Sequence, residues 1–271
     1  MTEQSPFDIL AKSYDKDFTR SCIGQLQRKR VWKLADQVLQ SNNRPLDILE
    51  INCGTGEDAF HFSAMGHNVI ATDASGIMIE KANQKAGLLK INTDKLQFIH
   101  CSFTRLPECF PDKKFDLIFS DFGGINCINE KEITQLSHDL SMMMAPGGQL
   151  FLVVLGRFCL WETGYYAGKK KFTTAFRRWK KNISFEVDGH EMPIFYYSPG
   201  HLRKLFCASF NCKQTFPVGL FIPPSYLENQ FSNRGQLLNK LNLWEDLWGK
   251  YSLFSSFADH FCIIFERNSK T

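Results

Sequence analysis

The sequence predicts an α/β fold: a mostly parallel sheet with helices on both faces. Three observations predict it. Between positions 45 and 155 short apolar runs alternate with helix-length segments, the pattern of repeated βαβ units. One such run, 46–51, passes through Asn52 and Cys53 into Gly54-Thr55-Gly56 and then a helical stretch, 57–65. Seventeen positions past Gly56 a second apolar run, 68–72, ends in Asp73. This is the layout of a nucleotide-binding half, with glycines where a ligand approaches the backbone and a carboxylate placed for ribose hydroxyls.

Taken in order, Phe7, Leu10, Ala11 and Tyr14 recur at three- and four-residue steps and predict an amphipathic helix covering the sheet edge. A second helix spans 26–39, its apolar face made by Val31, Leu34, Ala35 and Val38, and ends at Ser41-Asn42-Asn43-Arg44-Pro45. Strands follow at 46–51, 68–72, 96–100, 115–120 and 150–155, with further strands at 212–218 and 261–266. Residues 156–200 leave this pattern. Two short helical faces, one with Phe158, Trp161 and Tyr165 and one with Phe172, Ala175, Phe176 and Trp179, alternate with Lys169, Lys170, Lys171, Arg177, Arg178, Lys180 and Lys181. A second insertion, 219–256, holds Pro223-Pro224 and a helical stripe of Leu237, Leu241, Trp244 and Trp248. Ligand crevices open over the carboxyl ends of parallel strands, so both insertions read as an aromatic-lined substrate cover. The expected division is 1–44 as N-terminal cover, 45–155 as nucleotide-binding core, 156–200 as a helical basic-aromatic insertion, and 201–271 as the rest of the sheet.

Composition narrows the classes. The net charge of +4 does not by itself call for nucleic acid. Nine scattered cysteines without a C-x-x-C pair fit reduced thiols and no metal centre. Cys53, inside the glycine turn, reads as a small packed residue. The first residues are polar and the longest apolar run, 150–155, is too short for a bilayer, so a cytoplasmic protein is expected.

Two cofactors compete for the turn. Gly54, Gly56 and Ala59 formally satisfy the dinucleotide spacing. Glu50, however, ends the strand beside the place a pyrophosphate would take, where a carboxylate opposes the anion and suits an ammonium instead. Glu50-Ile51-Asn52-Cys53-Gly54-Thr55-Gly56 resembles motif I of the class I S-adenosylmethionine (SAM)-dependent methyltransferases. Later landmarks resemble them in order: Thr72 to Met78 as the ribose turn, Leu96 to Phe103 as the third strand and adenine loop, Phe115 to Asp121 as the fourth strand, and Ala145-Pro146-Gly147-Gly148 before the fifth.

The resemblance, over roughly 7–155, implies a Rossmann-like seven-stranded sheet, parallel but for a C-terminal antiparallel hairpin. It also implies SAM as cofactor, with S-adenosylhomocysteine (SAH) as product. The implied cofactor residues are Tyr14, Glu50, Asn52, Gly54, Gly56, Asp73, Ala74, Met78, Ser102, Phe103, Asp121 and Phe122. Asn52 replaces a usual glycine, and an asparagine at positive φ would preserve the turn. Ser102 replaces a usual aspartate and offers adenine a weaker acceptor.

The loop Ser120-Asp121-Phe122-Gly123-Gly124 lacks the prolines typical of exocyclic-amine methyltransferases, and its glycines admit an acceptor to the backbone. A small-molecule oxygen or ring carbon, on an aromatic or acyl-chain metabolite, free or carrier-bound, is therefore expected. Base candidates are His260, backed by Asp259, with Tyr197 and His201; Tyr196 stands beside them as an orienting group, and Asp121 and Glu162 are the supporting carboxylates. The basic-aromatic segment reads as a helix with rings packed inward and cations solvated. A nucleic-acid platform would instead need rings and cations interleaved on one exposed surface. A tRNA or rRNA methyltransferase, a membrane-docking enzyme and a non-catalytic binding protein are the alternatives.

Overall fold

The computed structural model describes residues 6–40, 44–91, 94–187 and 189–268. Nine strands occur among them: β1 (Asp47–Glu50), β2 (Asn68–Asp73), β3 (Leu96–His100), β4 (Phe115–Ser120), β5 (Met144–Leu155), β6 (Asn182–Val187), β7 (His190–Phe195), β8 (Phe210–Val218) and β9 (His260–Arg267). Seven form one sheet in the order β3-β2-β1-β4-β5-β9-β8. β1 to β5 run parallel, while β9 pairs antiparallel with both β5 and β8. The seven-stranded, Rossmann-like arrangement read from the sequence is therefore the one formed.

Alternation explains why both faces of this sheet are dry. Ile48, Leu117, Phe119, Phe151 and Val153 face one helical layer, and Leu49, Ile118, Leu150 and Leu152 face the other. The helix Cys22–Leu39 covers the first face with Val31, Leu34, Ala35 and Leu39. Its N-terminus is capped by Ser21, which accepts from the Gly24 amide. The helix Glu130–Met143 covers the second with Ile133, Leu136, Leu140 and Met143, started by an Asn129–Glu132 capping box. The Ser41 to Asn43 terminator lies outside the described residues.

This topology brings three strand ends to one edge. Glu50 closes β1 and Ser120 closes β4, while antiparallel pairing sets His260, the first residue of β9, opposite Leu155 at the end of β5. The crevice opens at that edge.

The 156–200 segment corrects the sequence reading in two ways. It is only partly helical: Leu160–Gly168 and Phe172–Ala175 are helices, Arg177–Lys180 is a 3-10 turn, and β6 and β7 form a separate hairpin. Trp161 and Tyr165 pack inward and the five lysines are exposed as expected, but the second stretch departs from the expected faces. Lys170 turns the chain at φ +58°, so no single amphipathic helix continues past it. Arg178 is consequently buried, whereas Phe172, Phe176 and Trp179 are exposed. The cause is electrostatic. Glu162 is 1% exposed, and a buried carboxylate must be neutralised, which draws Arg177 and Arg178 inward.

Candidate functional site

At the ends of β1 and β4, three buried carboxylates, Glu50, Asp58 and Asp121, present oxygens within 4.8 Å of one another. Arg28, projecting from the Cys22–Leu39 helix, pairs with Asp58 and lies 3.8 Å from Asp121. Trp32 donates its indole N–H to Asp58 at 2.5 Å. Glu50 is fully buried, and neither of its oxygens has a hydrogen-bond partner among the described residues. Asp121 Oδ2 and Arg28 Nε are likewise unpartnered. Burial, reinforced by Asp58 and Asp121, pushes the Glu50 carboxyl well above its usual range, and burial with Asp58 does the same to Asp121. Three acids thus share one arginine, and the cluster is short of a cation.

Beside it runs the glycine turn. Gly54 and Gly56 take φ of +52° and +89°, and a Cβ on Gly56 would come 2.8 Å from the Phe98 ring. The Gly54 amide donates to one oxygen of Asp73 and the Ser75 amide to the other, each at 2.8 Å, which holds that carboxylate in place. A cavity of about 220 Å³ opens there, lined among others by Phe7, Asn52, Asp73, Ala74, Ser102 and Phe103. The N-terminal segment is strapped across it: Thr55 donates to Asp15, Lys85 bridges Asp15 and Glu57, and Lys81 donates to the Ala11 carbonyl. The Tyr14 ring lies where a Cβ on Gly54 would touch it. These residues fit the cofactor expected above. The acids without hydrogen-bond partners would suit an amino-acid ammonium, and the cavity beside Asp73 and Ser102 would suit a ribose and base.

A second cavity, of about 240 Å³, is lined by Tyr14, Phe18, Phe122, Leu155, Arg178, Pro224, Ser225, Tyr226, Asp259 and His260. Tyr14 and Phe122 line this second space and not the first. Phe122 takes φ +42°, a conformation rarely adopted by an aromatic residue. It is fixed there by edge contacts with Phe18 (4.7 Å) and His260 (5.4 Å) and by the Arg28 guanidinium 5.2 Å above it. His260 Nδ1 lies 3.2 Å from Asp259. Behind this wall Arg178 binds the other Asp259 oxygen at 2.7 Å and Glu162 at 3.0 Å, and Glu162 also accepts from Tyr226 and Arg177. Burial would raise both acids, but the partners prevail: His260 and Arg178 hold Asp259 far below the ordinary range, and Arg177, Arg178 and Tyr226 lower Glu162.

Of the expected cofactor residues, Asn52, Asp73, Ala74, Ser102 and Phe103 line the first cavity, and Glu50 and Asp121 form the acid cluster. Met78 is buried one turn into the Gly76–Leu88 helix and is not among the lining residues. Asn52 does not adopt positive φ; its side chain accepts from Ser120 and donates to the Asp121 carbonyl, tying β1 to β4. Gly124 is needed for that tie, since a Cβ there would meet the Asn52 carboxamide at 2.5 Å, so the glycine admits Asn52 and not an acceptor.

Of the three base candidates only His260 lines the second cavity. Tyr197 donates its hydroxyl to the Ile128 carbonyl inside the core, and half-buried His201 faces Glu130 at 3.4 Å. Arg28, Asp58 and Trp32 were not read from the sequence. The available signal was that Arg28 shares the stripe of Val31 and Ala35, an arginine on a core-facing side.

Residues 48–148 match the family model described as "Methyltransferase domain". The chain is 33% identical over 192 residues to the tRNA 5-carboxymethoxyuridine methyltransferase of Escherichia coli K12, covering 70% of this chain and 72% of that protein. Among solved structures, the CcbJ methyltransferase from Streptomyces caelestis aligns over 99% of this chain and all of its own, with TM-score 0.62 at 14% identity. DhpI in complex with SAH aligns over 97% and 94%, with TM-score 0.57 at 15% identity. At such identities the structures speak for the fold.

Proposed function

We propose, since the chain belongs to the class I SAM-dependent methyltransferases, that it methylates an oxygen or ring carbon of a ring-sized acceptor group seated between the cover and His260. SAM is its cofactor, and supplies when bound an electrophilic methyl group on a sulfonium. Glu50, Asp121 and Arg28 would hold the amino-acid end, Asp73 the ribose, and Ser102 and Phe103 the base.

One observation carries the acceptor reading: the second cavity combines aromatic walls with a histidine backed by a carboxylate. At about 240 Å³, with a water's share near ~30 Å³, it has room for one ring and a substituent. Tyr14, Phe18, Phe122 and Tyr226 would flank such a ring. Asp259 lies 3.2 Å from the imidazole Nδ1 without a formed hydrogen bond, and Nε2 would take the proton that an oxygen or carbon acceptor surrenders. A free aromatic or acyl-bearing metabolite and a nucleoside both satisfy this space. The E. coli relative, named for a modified uridine of tRNA, supports the nucleoside.

Transfer of labelled methyl from SAM to a panel of phenolic, carboxylic and nucleoside acceptors tests the reading. His260→Asn should lower kcat about 10²- to 10⁴-fold while calorimetric SAM affinity stays in place. Unchanged turnover would remove His260 from the chemistry. A wild type that binds SAM but labels no ring-bearing acceptor would sink the acceptor assignment.

A further inference from the structure

The segment 169–181 is exposed in a way its folding role does not require. Lys169, Lys170, Lys171, Phe172, Phe176, Trp179, Lys180 and Lys181 all face solvent, and no Asp or Glu occurs between positions 163 and 181. Among the described residues none of these five lysines joins a salt bridge; Lys169 lies over the Tyr165 ring, a neutral partner. Phe176 and Trp179 meet edge-to-face at 5.1 Å, and Phe158 braces Trp179 from the other side at 5.3 Å. The Trp179 carbonyl is held by Arg157 at 2.8 Å. The rings are therefore presented rather than loose. Between Arg177 and Trp179 stands Arg178, which lines the acceptor cavity, so the exposed segment and the cavity wall are one stretch of chain.

We propose that this surface docks single-stranded RNA and delivers one of its nucleotides to the acceptor cavity. The proposal rests on the methyl-transfer reading above and names the substrate class of that same site. The charge complementarity is with a polyphosphate backbone: five exposed cations without an acidic partner among the described residues, on a short segment without a carboxylate. The rings supply the second element, because every base offers a face that stacks on Phe or Trp regardless of sequence. A lipid surface is the competing partner, and the segment suits it less. It carries no leucine, isoleucine, valine or methionine, and its two single-turn pieces, Phe172–Ala175 and Arg177–Lys180, form no continuous apolar helix face to lie in a headgroup layer.

The test uses the full chain and three probes: an oligoribonucleotide without stable secondary structure, vesicles containing phosphatidylglycerol, and SAM. The wild type should bind the oligoribonucleotide with steep salt dependence and ignore the vesicles. Replacing Lys169, Lys170 and Lys171 by Gln should flatten the slope of log affinity against log salt by about 2, from ~0.7 per phosphate contact. Trp179→Ala should weaken binding about 5- to 150-fold with the slope retained. Both variants should keep the wild-type SAM affinity by calorimetry, which certifies folding. Absent RNA binding in the wild type, or RNA affinity untouched in both variants, would overturn the proposal. So would vesicle binding that the same variants abolish. Because SAM affinity is read separately, its absence in the wild type would strike the methyl-transfer reading and leave the docking result to stand on its own.

Discussion

The two ends of the crevice are built on opposite electrostatic plans. At one end Glu50, Asp58 and Asp121 share Arg28, and Glu50 has no hydrogen-bond partner among the described residues. At the acceptor end Glu162 and Asp259, equally buried, receive Arg177, Arg178, Tyr226 and Gln27. The titration directions follow: Glu50 and Asp121 are raised, Glu162 and Asp259 lowered. Buried charge left unpaired costs the free protein stability and is compensated when a cation arrives. Buried charge already paired fixes structure. The unpaired acids of the first end would suit a cationic ligand group, whereas the paired acids of the second rivet the 156–200 insertion to the sheet.

The largest effect expected from this contrast comes from removing each arginine in turn. Arg28→Met and Arg178→Met each strip the partner from buried carboxylates, and each should cost about 3–5 kcal/mol of stability. Only Arg28→Met should also weaken SAM binding, while Arg178→Met should raise the acceptor KM. Thermal unfolding and calorimetry on both variants check this. Equal loss of SAM affinity in the two would erase the distinction between the ends.

A smaller effect sharpens it. Gly56→Ala puts a Cβ into the Phe98 ring at a φ of +89°, a strain of about 1–3 kcal/mol confined to the cofactor side. SAM affinity should fall, and RNA or acceptor binding, read in the absence of SAM, should not. A parallel fall in both would mean that the turn supports the whole crevice.

The contrast also marks what was legible in the sequence. Motif residues such as Glu50, Gly54, Gly56 and Asp73 are fixed by local chain order: a strand, a turn and a helix start within a few positions of each other, so spacing specifies geometry. The seven-stranded sheet was legible for the same reason, since alternating apolar runs declare both buried faces. Arg28 was hidden because a helical arginine ordinarily sits in water, and only Asp58 and Asp121, brought in from distant positions, make its burial favourable. Arg177 and Arg178 fall on the solvent side in the sequence reading because it continues one helical face from Phe172 through Trp179, where the chain instead breaks into Phe172–Ala175 and the 3-10 turn Arg177–Lys180. Tyr197 and His201 look like candidates beside a Pro-Gly turn, yet their side chains are engaged by the Ile128 carbonyl and by Glu130, and neither lines the second cavity. What could not be read was set by long-range charge pairing, which leaves no periodic trace.

The smallest expected effect is the most direct probe of the unpaired end. Burial raises the Glu50 and Asp121 carboxyls above their unfolded values, so the free protein holds protons there that an exposed pair would have lost. An arriving ammonium favours the ionised form and releases them. SAM affinity should therefore rise with pH, by at most tenfold per unit for each proton released, and level off once the acids are ionised in the free protein. Folding stability responds with the opposite signs at the two ends. The raised pair contributes most below the unfolded carboxylate pKa and loses its contribution as pH rises toward the folded values. The lowered pair, Glu162 and Asp259, contributes above the unfolded values and loses it as pH falls through the folded ones. Calorimetric titration with SAM in two buffers of different ionisation enthalpy measures the proton directly. Identical heats in both would mean that Glu50 is already ionised in the free protein, with Arg28 alone balancing the cluster.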